Sequence, residues 1–406
     1  MQTLPDLGRP PDIPPAATAA AMALLATGRL HRYAEAAGNS DSGAGGVVAE
    51  LERSFARLTG RRYAVAVNSC GAALYLALKA AGVTAGDPVL MNAFTLGPVP
   101  GAVQHAGAQP VLVEITEDLV IDMDDLRRKA QASGARVLML SHMRGHLCDL
   151  AELQGLCERL GLTLIEDCAH TLGASWNDKP SGSFGQTGCF SFQSGKHVNT
   201  GEGGILVTDD DDVAAQTILH SGSYMLYAQN GTVPPPDVMA RWQGRCGNYS
   251  MRMSTLAAAL ALPQLDLLDA RVADWNASHD RIAQQLMQAD GFVLPNRPPA
   301  ESYAQSSLQF RLPALSHARM QSYVTAARAA GVWVKWFGIR TPEGYNSNPA
   351  HWSATATTEV PRACTIQATL CDIRLPLGLT DDDCCAIAET LIYAANHARG
   401  ADHATT

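Results

Sequence analysis

From residue 63 to residue 165 short apolar runs alternate with amphipathic stretches, and no other feature constrains the fold so tightly. The runs 63–67, 88–91, 110–113, 136–140 and 162–165 are dominated by Val, Leu, Ile, Met and Ala, without polar alternation. Runs of that length and character predict strands covered on both faces. The intervening stretches 72–81, 98–105, 123–132 and 150–160 carry helical spacing. Strand and helix in regular turn predict an α/β fold, a mostly parallel sheet with helices on both faces. In such a sheet, ligands sit beyond the carboxyl ends of the strands.

The flanking segments read differently. Residues 1–46 form a Pro-, Ala- and Gly-rich arm with one helical stretch at 16–27, and Ser40-Asp41-Ser42-Gly43-Ala44-Gly45-Gly46 reads as flexible loop. A helix with apolar spacing at Val48, Leu51, Phe55 and Leu58 leads into the alternation. Beyond it come a strand at 205–208, a helix at 212–219, an irregular stretch around Pro234-Pro235-Pro236, and a helical region over 254–289 interrupted at Pro263. The domain change is placed there, with a large α/β domain over 47–265 and a smaller α+β domain over 266–406. The smaller domain is expected to hold a strand at 307–312, a helix at 316–330, a strand at 332–336, a loop to about residue 365 and a final helix at 381–398.

Composition narrows the function classes. The net charge of −9 opposes a nucleic-acid partner, since phosphate backbones are gripped by basic faces. No stretch approaches the ~20 uninterrupted apolar residues that span a bilayer. Met1-Gln2-Thr3-Leu4-Pro5-Asp6 lacks the basic-then-apolar pattern of a signal peptide. The 10 cysteines are scattered, mostly in apolar surroundings, which fits reduced, buried thiols rather than a disulfide framework. A soluble, cytoplasmic protein is expected.

Three polar elements fall at predicted strand ends. Asn68-Ser69-Cys70-Gly71-Ala72-Ala73 follows the first strand and opens a helix. Small residues there let backbone N–H groups approach a phosphate, and the helix dipole favours the anion. Glu166-Asp167-Cys168-Ala169-His170 follows the fifth strand. Asp167 and His170 can hold a heteroaromatic ring: a carboxylate beside a pyridine nitrogen keeps it protonated, and a protonated ring is an electron sink. The third element is Lys196, in a polar loop between the apolar run from Cys189 and the turn Gly201-Glu202-Gly203-Gly204. A lysine at a strand end, with tight glycine geometry behind it, is placed to form a Schiff base. Phosphate turn, ring carboxylate and lysine, in that order on a parallel sheet, are the parts of a pyridoxal-phosphate enzyme.

With these parts in place the chain resembles, from about residue 47 to 395, the DegT/DnrJ/StrS family of aminotransferases within fold type I. The resemblance is carried by Ser69-Cys70-Gly71-Ala72-Ala73-Leu74, Gly86-Asp87-Pro88-Val89, Ile165 through His170, Gly182-Ser183-Phe184-Gly185, Phe190-Ser191-Phe192 with Lys196, and Gly201 through Gly204. Arg252-Met253-Ser254 looks like the family's interface helix. The resemblance implies that Lys196 makes the Schiff base and moves the proton, and that Asp167 pairs with the ring nitrogen. It implies that His170 stands near the cofactor's phenolic oxygen, and that Ser69, Ser191 and the backbone of Cys70 and Gly71 bind phosphate. It further implies amino transfer from glutamate or glutamine to a keto sugar, keto-cyclitol or related small ketone, in a homodimer whose sites the other subunit completes.

The chain departs from the family pattern in places. The usual Ser-Gly-Thr turn lacks its threonine, since Ser69-Cys70-Gly71 stands there. Either Phe94 or Leu96 takes the role of the ring-stacking aromatic. The Asn drawn from the partner subunit is displaced, with Ser250 at the aligned position and Asn248 two residues earlier. Arg144 and His146 stand where sugar-modifying members are less charged, and 333–340 is unusually cationic and aromatic. Arg144, His146, Lys335 and Arg340 are therefore candidates to receive an anionic substrate group.

Rival readings fare unequally. A nucleotide-hydrolase phosphate loop is excluded, because Phe190 and His197 replace its glycine and its Ser or Thr. His142, His146 and Cys148 lack the glutamate of a zinc-protease helix, and no metal is expected. Family members that carry His in place of the lysine are dehydratases, so Lys196 favours transamination. A lyase, dehydratase or carbon–carbon bond-forming enzyme on the same fold stays open, as does a non-catalytic regulator that binds pyridoxal phosphate.

Overall fold

The computed structural model describes residues 4–33, 46–344, 347–355 and 359–400, so the loop expected at 40–46 lies, but for Gly46, outside the described residues. α1 (Pro15–Thr27) and α2 (Gly46–Thr59) precede the alternation. It runs β1 (Tyr63–Val67), α3 (Cys70–Ala80), β2 (Pro88–Asn92), α4 (Pro98–His105), β3 (Gln109–Val113), α5 (Met123–Ser133), β4 (Val137–Ser141), α6 (Leu150–Leu160) and β5 (Thr163–Asp167). A small hairpin, β6 (Ser175–Trp176) and β7 (Lys179–Pro180), leads to β8 (Thr187–Ser191), β9 (Gly204–Thr208), α7 (Asp211–Ser221), α8 (Pro236–Trp242), α9 (Thr255–Leu265) and α10 (Leu268–Gln288). The last part holds β10 (Glu301–Ser302), β11 (Ser307–Arg311), α11 (His317–Ala329), β12 (Lys335–Trp336), α12 (Pro361–Gln367), β13 (Leu370–Arg374) and α13 (Asp381–Gly400). Many helices begin on a side-chain cap: Ser69, Asp122, Asp149, Asp210, Ser254 and Ser316 each accept a backbone N–H of the first turn.

The main sheet has seven strands in the order β1-β9-β8-β5-β4-β2-β3. β3, β2, β4, β5 and β8 pair in parallel, and β9 runs antiparallel between β8 and β1. The expected α/β architecture with a mostly parallel sheet is therefore what the chain adopts. The antiparallel β9 decides where Lys196 sits. The β8–β9 connection is a hairpin, closed by Phe192 N–H on Gly203 O and by Thr200 N–H on Phe192 O. It doubles back over the carboxyl end of β8 instead of crossing the sheet. Helices cover both faces: α3 and α4 pack Leu74, Leu76 and Val99 on one side, and α2 and α9 pack Phe55, Ala258 and Ala261 on the other.

α10 and the chain after it build a core of their own around Trp275, Phe310, Tyr323, Trp336 and Leu391, beside the antiparallel sheet β11-β13-β12. We propose a domain boundary near residue 266 on this basis, with one qualification of substance: Phe337, Trp352, Ile366 and Leu370 return to the core beneath α3 and α4. Several expectations are corrected. Pro263 lies inside α9, and the helix breaks afterwards, at 266–267. α8 forms in the stretch expected to be irregular, with a proline in its first turn, where no N–H is missed. α12 and β13 occupy residues with no predicted element. β13 escapes a periodicity reading because Asp372 and Arg374 interrupt its apolar run. The N-terminal arm is tied to the lysine loop, since Asn199 Nδ2 donates to Pro11 O and Arg271 Nη2 donates to Asp12 O. Among the described residues, no helix is long and apolar enough to cross a membrane.

Candidate active site

A cavity of about 450 Å³ opens where β4, β5 and β8 end and α3 begins. Ser69, Cys70, Gly71, Asp167, His170, Ser191 and Lys196 all line it, so the three polar elements read from the sequence converge. Convergence depends on glycine at 204. A β-carbon there would run into the backbone of Ser69 and Cys70, so β9 can pass the phosphate turn only without a side chain.

At one end, Ser69 caps α3 by accepting the Ala72 N–H at 3.0 Å, which leaves its own hydroxyl hydrogen available. Gly71 lines the same end, and a β-carbon there would make only an ordinary van der Waals contact, 3.8 Å from Ser69 Oγ. Ser191 closes β8 and accepts from Gln193 N–H at 3.3 Å. At the other end, Asp167 is held by three donors. Its Oδ2 accepts from Ser141 Oγ at 2.7 Å, and its Oδ1 accepts from Ala169 N–H at 3.1 Å and from the Cys70 thiol at 3.8 Å. Ser141 is itself fixed, its N–H donating to Asn92 Oδ1 at 2.8 Å.

Lys196 reaches the same cavity from the hairpin, with Nζ 2.8 Å from His170 Nε2. Burial, reinforced by Arg374 and Arg144, pulls the Lys196 amine down to about 7. Burial and the charge of Lys196 push His170 well below its usual range, so the imidazole is neutral and Nε2 can accept from the amine. The free amine is the nucleophile towards an aldehyde. The rate of pyridoxal-phosphate uptake is thus expected to rise through a midpoint near pH 7, read by stopped-flow absorption; a midpoint above 10 would mean that the native amine is fully charged.

Glu166, beside Asp167, does something else. It accepts N–H bonds from Gly182 at 2.9 Å, Phe184 at 2.8 Å and Gly185 at 2.7 Å, and lies 3.0 Å from His142 Nε2. The Gly182-Ser183-Phe184-Gly185 motif is therefore a turn pinned to a buried carboxylate. Burial opposes the charge on Glu166, but His142 and these N–H groups win and hold its pKa below the usual value. His142, Glu166 and Cys168 bring ligand atoms within 4.8 Å of one another, yet both Glu166 oxygens are already taken by the turn and by His142. Glu166→Ala is expected to cost about 3–5 kcal/mol in chemical denaturation, because it strands buried donors.

Other expected site residues lie elsewhere. Phe94 is a core residue: Asn92 Nδ2 donates to its carbonyl, and its ring packs on Phe337 with centroids 5.1 Å apart. Leu96 lines the cavity instead. His146 is buried with Nε2 2.8 Å from Gln309 Oε1, outside the cavity lining. Lys335 lies over the Phe337 ring at 4.9 Å, also outside the lining, and Arg340 is exposed beyond β12. Of the four candidates for an anionic group, Arg144 lines the cavity. Asn248 and Ser250 are exposed and outside this subunit's cavity, in a turn where Asn248 Oδ1 accepts from Ser250 N–H at 2.9 Å. Sequence reasoning missed Ser141, Gln193, Glu202 and Arg374. Ser141 ends a predicted strand and was within reach of the strand-end rule, whereas Arg374 lies in the unpredicted β13.

This donor set fits pyridoxal 5′-phosphate. An anion meets the α3 N-terminus and two serine hydroxyls, a pyridine nitrogen meets an oriented carboxylate, and an aldehyde meets an amine drawn down to about 7, of which about half is free at neutral pH.

Residues 27–392 match the model of the DegT/DnrJ/EryC1/StrS aminotransferase family. The chain is 32% identical over 255 residues to the spore coat polysaccharide biosynthesis protein SpsC of Bacillus subtilis, which covers 61% of this chain and 64% of that one. It is 33% identical over 233 residues to the GDP-perosamine synthase of Caulobacter vibrioides, which covers 57% and 60%. The matched stretch thus spans about six-tenths of the length of these curated relatives. The crystal structure of the aminotransferase TlmJ from Streptoalloteichus hindustanus has the same fold, with a TM-score of 0.80 at 22% identity over 98% of this chain and 99% of that one.

Proposed function

The chain belongs to the DegT/DnrJ/EryC1/StrS aminotransferase family, and we propose that it moves an amino group from glutamate or glutamine to a keto sugar, keto-cyclitol or related small ketone. One observation carries this reading: an amine brought near pH 7 lies 2.8 Å from a neutral imidazole, in one cavity with an oriented carboxylate and a phosphate cradle. Pyridoxal phosphate supplies the electron sink for the carbon that bears the nitrogen. Ser69, Ser191 and the first turn of α3 bind its phosphate. Asp167 keeps the ring nitrogen protonated, and Ser141 and Ala169 keep Asp167 aimed. With the cofactor bound, Lys196 Nζ would be the group that accepts the proton lost by the substrate carbon, and an amine near 7 can both take up and release a proton at neutral pH. His170 orients Nζ, and Leu96, Pro98, Val99 and Met143 keep water from that side.

The names of the relatives, for GDP-perosamine and a spore coat polysaccharide, support a sugar-like acceptor. The exposed Tyr249, between Asn248 and Ser250, and the exposed Tyr224, Met225 and Leu226, whose segment Arg252 joins to that turn through the Tyr224 ring and the Gly222 carbonyl, support a homodimer in which each copy lends this surface to the other's site. The test is a two-step absorption experiment on protein loaded with pyridoxal phosphate. Glutamate or glutamine is expected to discharge the visible band, and a ketone to restore it. Discharge with release of ammonia or carbon dioxide, without restoration by any ketone, would favour a lyase.

A further inference from the structure

Two polar side chains of the cavity take no part in the proposed chemistry. Gln193 and Glu202 line it from the β8–β9 hairpin, and both are exposed at its mouth. Phe192 N–H donates to Gly203 O, and Ser194 N–H donates to Gly201 O. These two bonds bracket Gln193 and Glu202, which therefore lie opposite each other across the hairpin. Opposite residues of an antiparallel pair direct their side chains to one face. Here it is the face of Ser191, two positions before Gln193, which also lines the cavity. The backbone of both residues is used: Gln193 O accepts the Lys196 N–H at 2.8 Å, and Glu202 O accepts from Thr200 Oγ1 at 2.9 Å. The side-chain amide of Gln193 and the carboxylate of Glu202 bond to no other residue among those described.

The hairpin beneath them is held from several sides. Asn199 Oδ1 accepts the Gly201 N–H at 3.1 Å, and Gln264 grips Asn199 by donating to its carbonyl at 2.7 Å and accepting its N–H at 3.1 Å. Arg374 donates to the Gly195 carbonyl at 2.8 Å, and its guanidinium fills the space where a side chain at 195 would begin: a β-carbon there would lie 3.0 Å from Nη2. At Gly203 a β-carbon would lie 2.9 Å from Thr200 Oγ1, so the return strand lies tight against its own turn. The backbone that carries the two free groups is thus set before a ligand arrives, which removes part of the ordering cost of binding.

A carboxylate only accepts hydrogen bonds, whereas a carboxamide accepts through its oxygen and donates through its nitrogen. Neighbouring hydroxyl groups match that combination: one donates to Glu202, and the other both donates to and accepts from Gln193. Hydrogen bonds to the charged carboxylate are the stronger ones. A phosphate or carboxylate at the same place would meet the negative charge of Glu202 instead. We propose that Gln193 and Glu202 together receive adjacent hydroxyl groups of the keto acceptor, so that the acceptor is a polyhydroxylated ring with no anionic group on that side. The assignment rests on the aminotransfer reading and names, among keto sugars, keto-cyclitols and small ketones, the chemical feature that the mouth selects.

The test uses protein loaded with pyridoxal phosphate and discharged with glutamate, and follows the return of the visible band. Two ketones with adjacent hydroxyls, pentahydroxycyclohexanone and a methyl hexopyranosid-4-ulose, are compared with their bare rings, cyclohexanone and tetrahydropyran-4-one. Native protein is expected to favour the polyol in at least one series by about 10²-fold in kcat/KM, and that series identifies the ring. Glu202→Ala is expected to lower this preference roughly 10- to 100-fold and Gln193→Ala about 3- to 10-fold, chiefly through KM. Glu202→Gln keeps an accepting oxygen and is expected to recover part of the preference. Both side chains are exposed and support no other described residue, so the variants are expected to fold and to gain the band. Equal losses for polyol and bare ring overturn the assignment, as does native protein without a preference in either series. Native protein that gains the band but is discharged by neither glutamate nor glutamine overturns the aminotransfer reading, and the assignment with it.

Discussion

Lys196→Ala is expected to bind pyridoxal phosphate without gaining the visible band of the native protein, and to transfer amino groups about 10²- to 10⁴-fold more slowly, the usual contribution of a positioned acid–base group. The reason is local. Nζ is the amine that lies against His170 in the cavity and is drawn to about 7, so both attack on an aldehyde and proton movement at the substrate carbon depend on it. The fold is expected to survive the change, because the substitution removes an amine buried near two guanidiniums. Its stability should also lose a pH dependence. In the native protein without cofactor the unfolded chain binds this proton up to about 10.5, whereas the folded chain releases it near 7. This group therefore makes the folded state more stable as pH rises from about 7 to 10.5, and Lys196→Ala lacks that gain. Urea denaturation of both proteins at pH 7 and pH 9 measures it. An alanine variant that still gains the band would mean that another amine is the reactive one.

Asp167→Asn is expected to keep the visible band, since Lys196 is intact, and to lower kcat by about 10²- to 10³-fold, the scale on which preorganised electrostatic groups act. A carboxamide is nearly isosteric but uncharged, and it cannot hold a proton on the ring nitrogen. It also disturbs its supports: the Ser141 hydroxyl and the Ala169 N–H both donate to the native carboxylate, so an amide nitrogen turned towards Ala169 meets another donor, and one turned towards Ser141 forces that hydroxyl to reverse from donor to acceptor. Ser141→Ala is the graded control. It removes one of three donors to Asp167 and should cost about tenfold. The measurement is single-turnover discharge of the band by glutamate; native rates in Asp167→Asn would detach Asp167 from the ring nitrogen.

The candidate site was legible where chemistry is local. Ser69, Asp167 and Lys196 each follow a short apolar run, and a residue that follows a strand in a parallel sheet faces the ligand side whatever the strand order. Legibility failed where a residue's neighbours are remote in the chain. Phe94 and Leu96 are two residues apart, and the bend fixed by Asn92 sends one to the core and the other to the cavity. Arg144, His146, Lys335 and Arg340 read alike as cations, yet burial, partners and distance separate them.

The chain's own pattern of apolar runs, helix caps and strand-end polar residues determined the α/β class, most element positions, and the strand-end residues Ser69, Asp167, His170, Ser191 and Lys196 that line the cavity, because each depends on neighbours a few positions away. The tertiary structure alone decided the antiparallel β9 that turns the Lys196 loop into a hairpin, the β13 strand, and the meeting of Arg374 with Gly195 across 179 positions. Such meetings are set by how sheets and cores pack, which no local periodicity encodes. The glycine at 195 carries no meaning until the arginine that occupies its missing side chain is in view.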